Sequence, residues 1–361
     1  MKKVLLLAPV SGNGGIQSWA KAYISSFKSE KFVLQHEYID SLRTNHNAGF
    51  VERAVLGLID LARLHFKLRK ILPGAGFDIV HKTTSGSLGT LNDYVIGKLC
   101  KRNGAKLILH CHYGCIASDF RGKGPLGMLL RSTFNLYDQI WVLDSTSEKA
   151  LNADCRLSGK IHLTPNPIAV PDEVDLTPKG YDSIGFIANI LPSKGVLELI
   201  RAIRVADADV NLTIVGPGAP KDVQMMEMEA GDLLGTRVRY LGPKSNREAV
   251  EIMKGVDVLA LPTYYRYEAF PISILEAMSR GKLVLSTPRA AIPDMLTALD
   301  GAMCGMLVSE RSAEEIADAI SWIRTNRMDA DEMCRKAYEK VKTVYDNKVV
   351  YGLYEKLYDT L

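Results

Sequence analysis

Two carboxylates eight positions apart are the residues of this sequence best suited to binding a polyhydroxylated ligand. Glu268 follows an apolar run, and Glu276 lies in the helical segment after it, on the face of Ser273. An ionised carboxylate accepts several hydrogen bonds, so it can hold both hydroxyls of a vicinal diol such as a ribose. On spacing alone, the simpler interpretation is a loop charge and a solvated helix glutamate.

The segments around these carboxylates predict how they are positioned. Two short apolar runs, residues 256–261 and 282–286, are each typical of a strand buried on both faces of a sheet, with a helix between them. In such a strand–helix–strand unit, ligands bind beyond the carboxyl ends of the strands. The loop at residues 262–270 is therefore where a ligand is expected.

The start of the intervening helix is a second feature that suits a ligand. Pro271 fits the first helical turn, because it lacks an N–H that would be unpaired there. The free N–H groups at this end of a helix favour phosphate groups or sugar hydroxyls. We therefore expect the backbone from Phe270 to Ile272 to contact the ligand.

The stretch EAFPISILE, which contains both glutamates, and the following AMSRGKLVLST resemble the signature of the family 4 retaining glycosyltransferases. The resemblance implies the α/β GT-B fold, in which two Rossmann-like parallel-sheet domains face each other across a cleft. It implies that Glu276 binds the ribose of a UDP- or GDP-linked sugar and that Glu268 faces the donor sugar. It further implies transfer without a metal or another cofactor, in which the leaving phosphate accepts the proton of the acceptor hydroxyl.

Lys194 is the candidate cation for the donor diphosphate. It precedes an amphipathic helical segment, so its ammonium and the helix N-terminus are expected to point the same way. A lysine at such a place is usually only a solvated charge. The resemblance implies a basic pair in this loop, in which Lys194 is the second member and Asn189 replaces the usual arginine.

Other positions match the donor site only through the resemblance. Gly216 corresponds to the glycine loop of the family near the nucleotide, and Tyr240 and Leu241 correspond to the segment that lines the base. Gly14 and Gly15 lie in a glycine-rich loop after the first strand, where glycine lets the backbone approach a ligand. Such a loop is just as often a tight turn, but the resemblance implies that the two substrates meet there.

The run LHCHYGC at residues 109–115 suggests a zinc site, because it combines two histidines with two cysteines. Alternation along a strand places His110 and His112 on one face and Cys111 on the other, so three ligands do not converge without a bend. A histidine at the edge of the core is the better interpretation, and no metal is expected. The resemblance implies a histidine beside the donor sugar, for which His112 matches best and His110 is the alternative. With Glu268 and Lys194, His112 completes the expected catalytic set.

The length of 361 residues and the hydrophobic content of 47% predict two domains. Strands alternate with helical segments, which indicates parallel sheets. A segment rich in proline and acidic residues, at 171–181, suits a connection between domains. We expect an acceptor-binding domain at residues 1–172, a nucleotide-sugar-binding domain at 173–345 and a terminal helix at 346–361.

The terminal helix carries three tyrosines on one stripe. Tyr351, Tyr354 and Tyr358 follow helical spacing, which indicates packing. The resemblance implies that this helix crosses back to the first domain.

The overall composition narrows the class of protein. A net charge of +4 does not indicate a general nucleic-acid binder. No apolar run approaches the ~20 residues of a membrane span, and the N-terminus lacks a signal-peptide core, so a cytoplasmic protein is expected. The six cysteines show no paired spacing and fit reduced thiols.

A basic amphipathic helix is predicted at residues 50–72. Its apolar stripe consists of Leu61, Leu64, Leu68 and Leu72. Arg63, Lys67 and Lys70 share another face, which is either simply solvated or binds an anionic membrane surface.

A second basic segment, with Arg121 and Lys123, follows in the same domain and could form a shared patch with that helix. Relatives that build bacterial surface polysaccharides, such as O-antigen or capsule, use lipid-linked acceptors. We therefore predict peripheral contact with the inner face of the cell membrane and a polyprenyl-diphosphate-linked or similar saccharide acceptor.

Two other functions are compatible with these residues. A sugar-nucleotide epimerase of GT-B-like fold would need an acid and a base on either side of the sugar, for which only Glu268 and His112 are available. A non-catalytic sugar-nucleotide sensor would keep Glu276 and Lys194 without needing His112. Turnover of the donor with and without acceptor separates the three functions.

Overall fold

The protein is described from a computed structural model, which covers residues 1–12, 14–38, 50–86, 89–177 and 179–361. The chain folds into two compact units, Met1–Pro167 together with Val350–Leu361, and Ile168–Val349. The first boundary lies just before the proline- and acid-rich segment at 171–181, of which Pro178 is outside the described residues.

The first unit is built on a parallel sheet. Its strands are Lys2–Leu7 (β1), Phe32–His36 (β2), Ile79–Thr84 (β3), Lys106–Cys111 (β4), Gln139–Val142 (β5) and Ile161–Leu163 (β6). They are ordered β2-β1-β3-β4-β5-β6, and all pair in parallel. The apolar pattern from Phe32 predicts a second strand that ends at Ile39, and Ile39 lies outside the described residues.

Helices cover both faces of this sheet. They are Gly15–Ser26 (α1), Phe50–Ile71 (α2), Gly89–Arg102 (α3), Ile116–Arg121 (α4), Pro125–Leu136 (α5) and Ser145–Asn152 (α6), with a 3₁₀ turn at Cys155–Leu157. Since side chains alternate along a strand, Leu5 and Leu7 enter one apolar core, whereas Val4 and Leu6 enter the other. The apolar stripe of α2 packs as predicted, with Leu64, Leu68 and Leu72 buried in the first of these cores.

The second unit repeats this architecture. Its strands are Ser183–Ile187 (β7), Asn211–Val215 (β8), Val238–Tyr240 (β9), Val258–Leu261 (β10), Leu283–Ser286 (β11) and Met306–Leu307 (β12). They are ordered β12-β11-β10-β7-β8-β9. The helices are Val196–Val205 (α7), Pro220–Ala230 (α8), Asn246–Lys254 (α9), Ile272–Met278 (α10), Ile292–Met295 (α11), Ala313–Thr325 (α12) and Arg327–Lys340 (α13), followed by a π-helical turn at Val341–Tyr345. The predicted fold class, two Rossmann-like parallel sheets, is confirmed.

The last helix, Asn347–Asp359 (α14), packs on the first unit. Its tyrosine stripe is buried in the core that contains Trp19 and Tyr23. Trp19 Nε1 donates to the Tyr354 hydroxyl at 3.3 Å, and the hydroxyls of Tyr23 and Tyr358 are 2.7 Å apart. The stripe is therefore a packing feature, as its spacing predicted.

Each sheet contains one point at which the strand order reverses. It falls between β1 and β3 in the first unit and between β7 and β10 in the second. In open parallel sheets, ligands bind at the carboxyl ends of the strands beside such a switch point. These two places are where functional side chains are expected to lie.

Candidate functional site

The loops that follow β7 and β10 meet at the switch point of the second unit. Lys194 Nζ donates to Glu268 Oε2 at 2.5 Å, and both side chains are largely buried. Thr263 Oγ1 donates to the same carboxylate oxygen at 3.1 Å. The ammonium also lies 5.2 Å from the ring centre of Tyr265. Lys194 and Glu268 are therefore a buried, hydrogen-bonded ion pair rather than solvated charges.

The close approach of these two loops requires a glycine. Gly195 has a φ of 81°, and a Cβ there would lie 2.1 Å from the carbonyl oxygen of Pro262. Tyr264 N donates to Ser193 O at 2.8 Å, which joins the loops directly. Lys194 is thus held against the β10 loop by the backbone on both sides.

Glu276 is buried, which corrects the expectation that it lies on a polar face of its helix. Only 8% of the residue is exposed. Asn246, the first residue of α9, covers this face of α10 and donates from Nδ2 to Glu276 Oε1 at 2.8 Å. Burial raises the pKa of Glu276, and the hydrogen bond from Asn246 opposes that rise. A carboxylate held in this way suits recognition of a diol, because a hydroxyl that donates to it does so at low dielectric.

The ends of β8 and β9 bring three further predicted residues together. Gly216 has a φ of 149°, and a Cβ there would lie 1.9 Å from the carbonyl oxygen of Ala188 after β7. The Tyr240 hydroxyl donates to Gly216 O at 3.0 Å. Leu241 is exposed, and its N–H donates to Ile214 O at 2.9 Å.

The start of α10 and the end of β7 hold the remaining predicted donor positions. Phe270 and Pro271 are buried, and Ile272 is half-buried. The Phe270 ring packs 5.6 Å from the ring of Tyr345, so this side chain serves the core. Asn189 is exposed directly after β7.

In the first unit, Gly14 is the N-cap of α1 and Gly15 is its first residue, in the connection that follows β1. A Cβ on Gly15 would meet no atom within 4 Å, and one on Gly14 would meet the flexible side chain of Gln17. Packing within the unit therefore does not account for two glycines at the start of this helix.

His112 lies in a cluster of three buried histidines. It follows β4, is 8% exposed, and its ring centre lies 4.1 Å from that of His110 and 4.8 Å from Trp19. His110 Nδ1 is 3.2 Å from His81 Nε2 on the neighbouring strand β3. Within the described ranges, the buried Nε2 of His112 has no hydrogen-bond partner.

Burial keeps these three imidazoles neutral. It lowers the pKa of His81 and of His112 to about 3, and it lowers the pKa of His110 well below the usual value. The rings of His81 and His110 stack rather than converge on one point. In the part of the chain that the structure describes, no three histidine, cysteine or acidic side chains form a group that could hold a metal ion.

Sequence reasoning missed Asn246, Thr263 and His81. Asn246 gave no separate signal, because it belongs to the capping box in which Ser245 and Glu248 hydrogen-bond reciprocally at the start of α9. His81, in contrast, could have been found from the sequence. It sits within the apolar strand β3 beside β4, so two adjacent strands each carry a buried histidine.

The site residues of the second unit lie within a segment that matches the model of a known protein family. Residues 172–342 match the model of the family described as Glycosyl transferases group 1. The match covers most of the second unit, slightly less than half of the chain, and the resemblance read from the sequence is confirmed.

Two curated relatives match part of the chain. One, from Campylobacter jejuni, is N,N'-diacetylbacillosaminyl-diphospho-undecaprenol alpha-1,3-N-acetylgalactosaminyltransferase, 28% identical over 48% of this chain and 43% of its own length. Another, the lipopolysaccharide 1,2-N-acetylglucosaminetransferase of Salmonella typhimurium, is 27% identical over 45% and 43%. The matched segment spans less than half the length of either relative.

A solved structure matches the whole chain. Anabaena Alr3699/HepE, determined in complex with UDP and glucose, aligns over 100% of both chains with a TM-score of 0.73 at 15% identity. The fold is therefore GT-B. Among the described residues, no helix is both long and apolar enough to cross a membrane.

Proposed function

We propose that this protein is a retaining, metal-independent glycosyltransferase that moves a sugar from a UDP- or GDP-linked donor to a saccharide acceptor. The observation that carries the proposal is the buried Lys194–Glu268 pair at the switch point of a glycosyl transferases group 1 domain. A cation and a carboxylate fixed there can address a diphosphate and a sugar side by side. The UDP and glucose held by the Anabaena protein support a nucleotide-sugar donor.

In the proposed reaction, the acceptor hydroxyl oxygen bonds to the anomeric carbon on the face from which the nucleoside diphosphate leaves. The bond between that carbon and the phosphate oxygen breaks, and its electron pair stays on the diphosphate. The proton of the acceptor moves to a leaving phosphate oxygen, so no protein nucleophile is required. Lys194 and the backbone of residues 270–272 stabilise the charge that develops, and one such interaction typically contributes ~3 kcal/mol.

The other candidate residues have separate roles in this proposal. Glu276 binds the ribose hydroxyls, while Gly216, Tyr240 and Leu241 line the nucleotide. Glu268 faces the donor sugar. His112, neutral and with a free ring nitrogen, offers the sugar a hydrogen bond but no positive charge.

We further propose that the acceptor is a lipid-linked saccharide used to build a bacterial surface polysaccharide, at the inner face of the cell membrane. The Campylobacter and Salmonella relatives, a diphospho-undecaprenol glycosyltransferase and a lipopolysaccharide transferase, support this class of acceptor. In the structure, exposed Ile59 and Phe66 accompany the cations of α2, which suits an interfacial helix.

Thermal unfolding with a panel of UDP- and GDP-sugars tests donor binding. A true donor at ~100 times its dissociation constant should add ~2.7 kcal/mol of stability. Glu276→Ala should abolish the effect, and Glu251→Ala, which removes an exposed carboxylate that pairs with Lys254, should preserve it. A panel in which no nucleotide sugar stabilises the protein would contradict the proposal.

A further inference from the structure

A second candidate site lies in the first unit, at the switch point between β1 and β3. A cavity of about 450 Å³ opens beside Leu7 at the end of β1 and residues 82–85 at the end of β3. Its remaining walls come mainly from α2, α3 and α5, together with Pro9, Ile16 of α1 and Tyr38. A pocket at this position in a parallel sheet is the usual place for a ligand.

The walls of this cavity are mainly leucines from the three helices. They are Leu58, Leu61 and Leu64 of α2, Leu91 of α3, and Leu126 and Leu129 of α5. Leu58, Leu91 and Leu126 are exposed, at 56%, 39% and 39%. An apolar ligand would remove these side chains from water, which is the main source of affinity for such a surface.

The polar groups at the base of the cavity are already paired. Lys82 Nζ donates to Asp93 Oδ1 at 2.6 Å, and Thr84 Oγ1 donates to Asp93 Oδ2 at 2.5 Å. In the described part of the wall, only the Asn92 Oδ1 atom is buried without a partner. A saccharide needs many polar partners, so the cavity suits an apolar group better.

We propose that this cavity binds the first isoprenoid segment of a lipid-linked acceptor, a single branched apolar chain of limited length. A cavity of ~150 Å³ holds one benzene, so three times that volume accommodates roughly fifteen to twenty carbons. The biological role of the cavity rests on the proposed function, whereas binding of the chain can be measured without it.

The charge beside the cavity selects the kind of lipid. Arg121 and Lys123 are exposed and come just before Pro125 and Leu126, which line the cavity. Two cations this close in sequence to lining residues suit an anionic head such as a diphosphate. We therefore assign the cavity to an isoprenoid diphosphate rather than to a neutral lipid.

Isothermal titration with isoprenoid diphosphates of five, ten, fifteen, twenty and twenty-five carbons tests the assignment, each below its micellar concentration. Affinity should rise with chain length up to about fifteen to twenty carbons and then level off, because the cavity is finite. If the chains instead partitioned onto an open surface, affinity would continue to rise about fourfold for each further methylene. Inorganic diphosphate should bind at least a hundredfold more weakly than the fifteen-carbon ligand.

A matched pair of variants on α5 locates the binding. Leu126→Asp places a charge in the mouth of the cavity, and Met128→Asp places one two residues away at an exposed position that does not line it. The first should weaken the fifteen-carbon diphosphate at least tenfold, and the second by less than twofold. Equal effects of the two variants, or equal affinity for inorganic diphosphate, would overturn the assignment.

A donor-side measurement separates this inference from the proposed function. UDP- or GDP-sugar binding should be the same in Leu126→Asp and in the unchanged protein. If isoprenoid diphosphates bind as expected and nucleotide sugars do not, the proposed function fails alone. If glycosyl transfer proceeds equally well to saccharides with and without the lipid, the inference fails alone.

Discussion

Lys194 has two partners in this account: the carboxylate it contacts in the structure and the diphosphate it is proposed to stabilise. In the ion pair with Glu268, each charge is the partner of the other in a largely desolvated place, where either charge alone would be strongly destabilising. A diphosphate that reaches the ammonium would share it with Glu268. The carboxylate thus holds the lysine in position before the donor binds.

Replacing Lys194 should therefore affect both stability and donor recognition. Lys194→Met leaves Glu268 buried without its partner and should lower the free energy of unfolding by ~3–5 kcal/mol in urea titrations. It should weaken a nucleoside diphosphate more than the corresponding monophosphate, because the outer phosphate is its proposed target. The double variant Lys194→Met with Glu268→Gln should regain part of the stability but not the diphosphate preference. Equal losses for both nucleotides would show that the lysine is only structural.

The neutral histidine cluster predicts how stability depends on pH. The pKa values of His81, His110 and His112 are depressed in the folded state, so below pH ~6.5 the unfolded chain binds more protons than the folded one. The stability that the folded state gains from keeping these histidines neutral is fully present above that pH and is lost as the pH falls toward 3. Two pH units below 6.5, His81 and His112 should each lower the free energy of unfolding by roughly 3 kcal/mol, and His110 should act in the same direction.

Urea unfolding between about pH 7.5 and 4.5, with NMR titration of the imidazole protons, measures this loss. The three buried rings should show no titration near pH 6.5 while the protein remains folded. Midpoints near that pH would contradict the assigned burial.

For single residues, the sequence indicated which side chains are candidates for the site but not how deeply each one is buried. The resemblance singled out Glu268, Glu276 and Lys194 as candidates, but their burial depends on neighbours that are distant in sequence. Asn246 lies 30 positions from Glu276. That distance explains why a helix face that looked polar from Ser273 is covered in the structure.

At the scale of elements, the terminal helix α14 ties the end of the chain to the sheet of the first unit. The Tyr358 hydroxyl lies 2.6 Å from His81 Nδ1 and 2.7 Å from the Tyr23 hydroxyl. These three groups form a buried polar network within an aromatic core. Buried polar groups are costly when one member of such a network is removed.

Tyr358→Phe should therefore destabilise the protein despite the loss of only one oxygen. We expect a decrease of ~1–3 kcal/mol in the free energy of unfolding, because His81 and Tyr23 lose a buried partner. Val349→Ala, at a half-exposed position of the same helix, is the control and should change stability by less than ~0.5 kcal/mol. A Tyr358→Phe protein as stable as this control would argue against the network.

The elements themselves were largely predictable. Short apolar runs marked the strands of both sheets, since strands of a parallel sheet are buried on both faces. The charge state of the basic face of α2 was less predictable than the helix itself. Lys67 pairs with Glu37 Oε2 at 2.7 Å, and Arg63 lies 3.3 Å from Asp60 Oδ1. Glu37 follows β2, far from Lys67 in the sequence, so periodicity alone could not reveal that this charge is compensated.

At the scale of the whole molecule, two Rossmann-like units each present a switch point, and the proposed ligands divide between them. The nucleotide sugar belongs to the second unit and the isoprenoid chain to the first. The membrane contact proposed for α2 would bring the protein to its acceptor. The cations of α2 should contribute unequally to membrane binding, because Lys70 is exposed whereas Lys67 pairs with Glu37.

Sedimentation with anionic liposomes should reveal that gradation. Each available cation contributes ~1 kcal/mol to binding at low salt. Lys70→Gln should weaken binding about fivefold, Lys67→Gln less, and replacement of Arg63, Lys67 and Lys70 together the most, with high salt suppressing binding of the unchanged protein. Binding that is absent, or that survives the triple replacement, would contradict the membrane role.

The most direct test of the account is sugar transfer itself, measured with the full chain, a stabilising nucleotide sugar and a lipid-linked saccharide in the presence of a chelator. We predict release of nucleoside diphosphate in step with formation of a glycosylated acceptor whose anomeric configuration matches the donor, and a loss of at least about a hundredfold in Glu276→Ala. Donor consumed equally without acceptor, a product of inverted configuration, a sugar returned as its epimer, or full activity in Glu276→Ala would contradict it.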